Sequence, residues 1–139
     1  MKSNSKIDVT QQGKKRPLPE SNNDDIPSWF RWAMSNAPSS HFVSVKDCQI
    51  HYLLWDDADE TERSGSILFV HGGAAHSHWW SFLAPFFLKN YKVAALDLSG
   101  MGDSGRRPEY NAGLRAEEIY GVIEDANLGR YTYVIGHSF

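Results

Sequence analysis

Apolar residues are almost missing from the start of the chain and become frequent after residue 25. Residues 1–25 hold four apolar side chains and no aromatic one. Such a segment cannot bury enough surface to offset the chain entropy that folding removes. The pattern therefore predicts a disordered polar tail over residues 1–25 and a folded domain over residues 26–139. The short basic run at 14–16 is interpreted as a solvated part of this tail.

The next thirty residues, 26–55, predict a short helix followed by a hairpin. Pro27 precedes aromatic and aliphatic residues over 29–34 that are spaced as on one face of a helix. Residues 41–45 and 48–55 predict two strands, the second of them with an alternating pattern. A tight turn at Lys46-Asp47 is expected to join them.

Apolar runs and helical patterns then alternate. The segment between the first two runs has helical spacing, and Pro85 within it predicts a kink or two short helices. The segment before the last run has Asn111 as a candidate N-cap and Gly129 as a candidate C′ residue. Alternating strands and helices predict an α/β fold with right-handed crossovers. Three continuously apolar runs are typical of strands that are buried on both faces, as in a parallel sheet: residues 66–70, 93–98 and 131–135.

Composition narrows the class of protein. The 139 residues suit about one domain, and a net charge of −3 with a pI near 6.0 argues against a nucleic-acid binder. A single cysteine, Cys48, excludes an internal disulfide and fits a reducing compartment. No apolar run approaches the roughly 20 residues that span a bilayer, and no signal peptide is visible. A cytoplasmic protein without a membrane partner is expected.

Two of the strand-end turns carry candidate chemistry. Residues 136–139, Gly-His-Ser-Phe, match the first four positions of G-x-S-x-G, a tight strand-to-helix turn that presents a nucleophilic serine. Residues 71–73, His-Gly-Gly, end the first buried strand. A glycine loop lets backbone N–H groups approach a developing oxyanion. Gly73 or Ala74 is expected to supply one donor and Phe139 the other.

Taken in order, HGG, DLSGMGDS and GHSF resemble the motifs of the α/β-hydrolase superfamily over about residues 41–139. The resemblance implies the N-terminal half of an α/β-hydrolase fold, mostly a parallel sheet with an antiparallel N-terminal hairpin. It implies Ser138 as the nucleophile and an oxyanion hole formed by Gly73 and Phe139. Asp97, Gly100, Gly102 and Ser104 match the middle motif, which is mainly structural in this family. Ser99 stands where the family usually has arginine, so no ion pair is expected from that position.

The resemblance also implies what lies outside the chain. The family's catalytic acid and histidine follow the serine, and we expect both beyond residue 139, with this chain being a fragment that begins at a true N-terminus and ends at the elbow. His137 is expected to point away from Ser138. The implied substrate is a small or medium ester, with amides, lactones or carbon–carbon bonds as alternatives, and no cofactor or metal is implied. Serine at the elbow disfavours the family's epoxide hydrolases and haloalkane dehalogenases, which use aspartate there. The sequence leaves the oligomeric state open.

Three other interpretations remain open from the sequence. Residues 100–105 spell G-x-G-x-x-G, with Glu124 further on, as in a dinucleotide-binding domain. However, Arg106-Arg107-Pro108 follows where a helix should open. His76 and His78 are half of a zinc motif without further clustered ligands. A non-catalytic protein with this fold is the third alternative, its aromatic residues over 79–87 forming a partner surface.

Overall fold

The computed structural model describes residues 25–56 and 63–138, which form one five-stranded sheet with helices on both faces. The predicted polar tail lies outside the described residues, except for Asp25, which is exposed. Two short 3-10 helices, Ser77–Trp80 and Ala84–Phe87, lie between the third and fourth strands. The regular elements are α1 (Ser28–Ser35), β1 (Ser39–Val45), β2 (Cys48–Trp55), β3 (Gly65–Val70), β4 (Tyr91–Leu96), α2 (Ala112–Asp125) and β5 (Thr132–Gly136).

The strand order is β1-β2-β4-β3-β5. β3 pairs in parallel with β4 on one side and with β5 on the other, whereas β2 pairs antiparallel with both β1 and β4. The predicted architecture, parallel strands preceded by an antiparallel hairpin, is confirmed. Since the chain leaves β3 for β4 and then returns to the far side of β3, the order reverses at β3. Ligands of open α/β sheets bind at such a reversal, beyond the carboxyl ends of the strands.

Each face of the sheet carries its own apolar core. On one face, Val122 of α2 and Ala126, which directly follows α2, pack against β2, β3 and β4. On the other face, Trp80 and Ala84 of the 3-10 helices cover Trp55 and Phe69. β2 is therefore buried on both faces, because it lies inside the sheet and is covered from both sides. Its alternating sequence does not mark a solvent-facing side.

The local signals for turns and caps are mostly confirmed. Lys46 and Asp47 both have positive φ, which is the geometry of a two-residue hairpin turn. The Asn111 side chain accepts a hydrogen bond from the Leu114 N–H, so the predicted N-cap is present. The C-terminal prediction is wrong: Asn127, at φ 49°, takes the C′ position instead of Gly129. The N–H groups of Asn127 and Leu128 then satisfy carbonyls of the last helical turn, as in a Schellman motif.

The segment before β4 forms two 3-10 helices, as the proline within it predicted, with Pro85 near the start of the second. It does not bury one continuous apolar face. Trp80 is buried, but Trp79 and Phe86 are about half exposed. α1 behaves similarly: it forms where predicted, yet only Ala33 is buried. No helix in the described ranges has the length and hydropathy that crossing a membrane would require.

The outer edge of the sheet at β5 leads to a prediction about solubility. β5 pairs only with β3 in the described part of the chain, and its apolar residues are exposed, with Tyr133 at 60% and Val134 at 48%. An open apolar edge is a template for pairing with other chains. We expect residues 1–139, expressed alone, to aggregate in sedimentation velocity experiments. Val134→Lys should reduce this aggregation, because a charge on an edge strand opposes pairing. A monomeric product that melts cooperatively would contradict the expectation.

Candidate active site

Three loops meet at one edge of the sheet. Because β3, β4 and β5 are parallel, the segments that follow them lie at the same end: residues 71–76 after β3, 97–105 after β4 and 137–138 after β5. All three contain motifs singled out in the sequence. The fold thus brings the His-Gly-Gly loop and the candidate nucleophile together.

Ser138 lies two residues beyond the end of β5. The His137 N–H donates to the carbonyl of Val70 at 3.1 Å, which extends the β3–β5 pairing by one residue. Ser138 itself is exposed and has φ 44°, a left-handed conformation that non-glycine residues rarely adopt. Local strain of this kind is often found at functional sites.

The His-Gly-Gly loop packs directly on the backbone of residues 137 and 138. A Cβ on Gly72 would collide with the carbonyl oxygens of His137 and Ser138, so only glycine fits there. The Gly73 N–H donates to the Ser138 carbonyl at 3.2 Å. The His71 side chain, which is fully buried, holds the loop from below: its Nε2 accepts from the Leu98 N–H at 3.0 Å, and its Nδ1 donates to the Gly72 carbonyl at 2.7 Å.

The buried carboxylate of Asp97 joins two of these loops. It accepts the Ser77 N–H at 2.5 Å and the Asp103 N–H at 2.9 Å, and it pairs with His51 Nδ1 at 2.8 Å. A Cβ on Gly102 would collide with this carboxylate, and Gly102 has φ 52°. Burial alone would raise the pKa of Asp97. The hydrogen bonds and the charge attraction from His51, with the two backbone donors, outweigh it and lower the pKa to about 2.

This shift predicts a contribution to acid stability. The pKa of Asp97 falls from an ordinary 3.8 to about 2 on folding, so its contribution of about 2 kcal/mol is fully present above pH ~4 and is lost as the pH falls toward 2. Urea unfolding of wild-type protein and Asp97→Asn at pH 6 to pH 2 would measure it. The stability difference should shrink between pH 4 and pH 2, and a constant difference would contradict this account.

A second buried carboxylate, Glu118 of α2, holds the turn after β4 from the side. It accepts hydrogen bonds from the N–H and hydroxyl of Ser99, and pairs with Arg107 Nε at 2.8 Å and with Arg115 Nη1 at 3.3 Å. Burial opposes ionisation, but the Ser99 hydrogen bonds and the two arginines lower the pKa of Glu118. The sequence did not reveal that Arg107 and Arg115 supply guanidinium groups at this turn.

Aromatic and imidazole rings border the serine. The His137 ring stacks on Trp79 with centroids 6.2 Å apart and meets the edge of Trp80 at 6.5 Å. In the described part of the chain, the His137 ring makes no hydrogen bond to Ser138. His76 and His78 lie 6.0 Å apart between ring centroids. The one possible cation-binding group in the described ranges contains neither of them; it consists of His51, Asp97 and Asp103.

The remaining predictions concern the oxyanion-hole residues and the glycine motif at 100–105. The structure brings Gly73 and Ser138 together, whereas Phe139 lies outside the described residues. The glycines at 100–105 form a turn, and α2 begins only at Ala112. No helix therefore opens at Gly105 to bind a pyrophosphate. Glu124 lies on α2 rather than at the end of a strand.

Comparison with known proteins agrees with this geometry. A family model described as the alpha/beta hydrolase fold matches residues 65–139. Protein ABHD14A of Rattus norvegicus is 33% identical over 84 residues, covering 58% of this chain and 34% of that protein. A 2-hydroxy-6-oxo-6-(2'-aminophenyl)hexa-2,4-dienoic acid hydrolase of Metapseudomonas resinovorans is 24% identical over 101 residues, covering 70% of this chain and 33% of that protein.

A solved structure extends the likeness to the fold. The Cif epoxide hydrolase from Acinetobacter nosocomialis superposes with a TM-score of 0.64 at 23% identity, covering 87% of this chain and 41% of that one. The chain spans about a third of the length of the curated relatives it matches. The resemblance found in the three motifs is confirmed: the chain belongs to the α/β-hydrolase family.

Proposed function

We propose that the complete protein is a serine hydrolase that cleaves small esters or related acyl compounds, with Ser138 as nucleophile. The observation that carries the proposal is the conformation of Ser138: exposed, at φ 44°, directly beyond a parallel strand and packed against a glycine loop. A strained turn of this kind costs on the order of 1–3 kcal/mol and persists where the surrounding structure fixes it. An ordinary turn after β5 would not require it.

The proposed reaction proceeds by acyl transfer. Ser138 Oγ attacks the substrate carbonyl while a general base takes its proton, giving a tetrahedral oxyanion. Collapse of this intermediate breaks the bond to the leaving alcohol, which receives the proton, and leaves an acyl-serine. Water then attacks the acyl-serine in the same way and releases the acid. The base and the acid that orients it are proposed to follow Ser138 in the complete protein.

The oxyanion is proposed to be held by backbone N–H groups from two loops. One donor is Phe139, next to the nucleophile. The other is Gly73 or its neighbour Ala74. The Gly73 N–H already donates to the Ser138 carbonyl, while the Ala74 N–H has no hydrogen-bond partner among the residues that the structure describes. Ala74 has φ 58°, a left-handed conformation that non-glycine residues rarely adopt. Each such donor contributes roughly 10²–10³-fold in kcat.

The proposal names a chemical class of substrates and no single compound. Esters, amides, lactones and carbon–carbon bonds next to a carbonyl all pass through the same tetrahedral step. One relative is named for hydrolysis of a hexadienoic acid that carries an aminophenyl group. Trp79, which is 51% exposed, stacks on the ring of His137 and offers an aromatic surface beside the residue that precedes Ser138.

We also propose that the protein is cytoplasmic. Its single cysteine, Cys48, is buried and free, which fits a reducing compartment.

The test is pre-steady-state kinetics of the complete protein with p-nitrophenyl acetate. An acyl-serine mechanism predicts a burst of p-nitrophenol of about one equivalent per enzyme when deacylation is slow, followed by slower turnover. Release of p-nitrophenol at the rate of the buffer control would instead support a non-catalytic protein of this fold. Ser44→Ala serves as the matched control for Ser138→Ala, because Ser44 is an exposed serine of β1 away from the site.

A further inference from the structure

A chain of buried hydrogen bonds runs beneath the proposed site. Ser40 Oγ lies 2.8 Å from His51 Nε2, and His51 Nδ1 lies 2.8 Å from Asp97 Oδ2. The three side chains are only 3%, 1% and 2% exposed. Their types and order are those of a serine–histidine–aspartate triad. No substrate reaches Ser40 at this burial, so the array is not a second reaction centre.

The array also has no capacity for a cation. His51, Asp97 and Asp103 place potential ligand atoms within 4.8 Å of one another. However, both nitrogens of His51 have partners, and each oxygen of Asp97 already accepts a backbone N–H. An ionised carboxylate has acceptor lone pairs on both oxygens, so Asp97 can accept from Ser77, Asp103 and His51 at the same time.

The donors on Asp97 come from two different loops. The Ser77 N–H stands at the end of the loop that begins with His71, Gly72 and Gly73, and the Asp103 N–H belongs to the turn after β4. Ser104 closes the turn: its hydroxyl donates to the Asp97 carbonyl at 2.6 Å and accepts the His51 N–H at 2.8 Å. The glycine loop is thus anchored at both ends, by β3 and by Asp97.

We propose that Asp97 is a positioning residue of the hydrolytic site, which sets the place of the glycine loop relative to Ser138. His51 and Ser40 orient its carboxylate from the hairpin. The proposal rests on the proposed function, since it assigns the loop its place beside the nucleophile. Asp97 acts through the backbone of residues 71–77 and does not touch the substrate.

The first test compares Asp97→Asn with Glu118→Gln in the complete protein, using p-nitrophenyl acetate. Both changes neutralise a buried carboxylate beside the turn after β4, but Glu118 does not bond the glycine loop. Misplacing a donor by about 1 Å costs on the order of 10²-fold in rate. Asp97→Asn should therefore lower kcat by about 10²-fold with KM nearly unchanged, whereas Glu118→Gln should lower the melting temperature without this loss of kcat. Equal losses in both variants would overturn the proposal.

A second measurement does not depend on activity. Hydrogen–deuterium exchange of the peptide covering residues 71–80 should be faster in Asp97→Asn than in Glu118→Gln at matched stability. Ser40→Ala, which removes only the outermost hydrogen bond of the array, should show a smaller change in the same peptide and keeps the test usable if Asp97→Asn fails to fold. Unchanged exchange in both Asp97→Asn and Ser40→Ala overturns the proposal. Wild-type protein without esterase activity would refute the proposed function, while the exchange data still decide whether Asp97 holds the loop.

Discussion

Replacing Ser138 by alanine is expected to lower kcat for ester hydrolysis by at least about 10⁴-fold, because loss of the nucleophile in serine hydrolases costs about 10⁶-fold in kcat. The change removes one hydroxyl from an exposed side chain, so folding should be little affected. The remaining activity should come from the backbone N–H donors, which still stabilise the oxyanion when water attacks the bound substrate. Steady-state kinetics with p-nitrophenyl acetate would measure the loss.

Ser44→Ala is the control for this experiment. Ser44 is also exposed, lies on β1, and has no part in the proposed site. Its variant should keep wild-type kcat and KM. If Ser138→Ala retained more than a tenth of the wild-type kcat, the nucleophile would have to be another group, whatever the family of the protein.

Gly72→Ala is expected to have the next largest effect. The added Cβ would collide with the backbone carbonyl oxygens of His137 and Ser138, and neither is the far end of a flexible side chain. The loop and the elbow must therefore separate. Since misplacing reacting groups by about 1 Å can cost 10²-fold, kcat/KM should fall by roughly 10²-fold. Thermal unfolding should also occur at a lower temperature, because overpacking costs about 1–3 kcal/mol.

Gly73→Ala provides the comparison at the neighbouring position. A Cβ there meets no atom within 4 Å, and the backbone N–H is retained. Its loss of kcat/KM should be at most about tenfold, equivalent to about 1.4 kcal/mol. The ratio between the two variants is the informative quantity. Equal effects at Gly72 and Gly73 would mean that the loop does not pack on the elbow as the structure shows.

The sequence predicted the elements whose signals are local. The strands, the Lys46-Asp47 turn and the Asn111 cap each depend on a few neighbouring residues, and each is present. The predicted C′ residue of α2 was wrong because two residues with positive φ, Asn127 and Gly129, lie close together. Sequence preference favours glycine at the C′ position. Only the hydrogen bonds of the last turn distinguish them.

The residues that support the site were not predictable because their partners are distant in the chain. His51 occupies an alternating strand and looks like a solvent-facing polar residue. It is buried because Ser40 and Asp97, which are 11 and 46 positions away, satisfy its two nitrogens. Arg107 follows the glycine turn and looks like a loop residue, yet it pairs with buried Glu118. Contacts of this kind follow from the strand order, which the sequence does not state.

The measurement that tests the central claim most directly is covalent labelling of the complete protein with a fluorophosphonate, followed by peptide mass spectrometry. Such a reagent phosphonylates an activated serine hydroxyl and releases fluoride. The account predicts one adduct per chain, located on Ser138, and no adduct in the Ser138→Ala variant. An adduct on a different serine, or an unmodified protein under conditions that label a known serine hydrolase, would contradict the assignment of Ser138 as nucleophile.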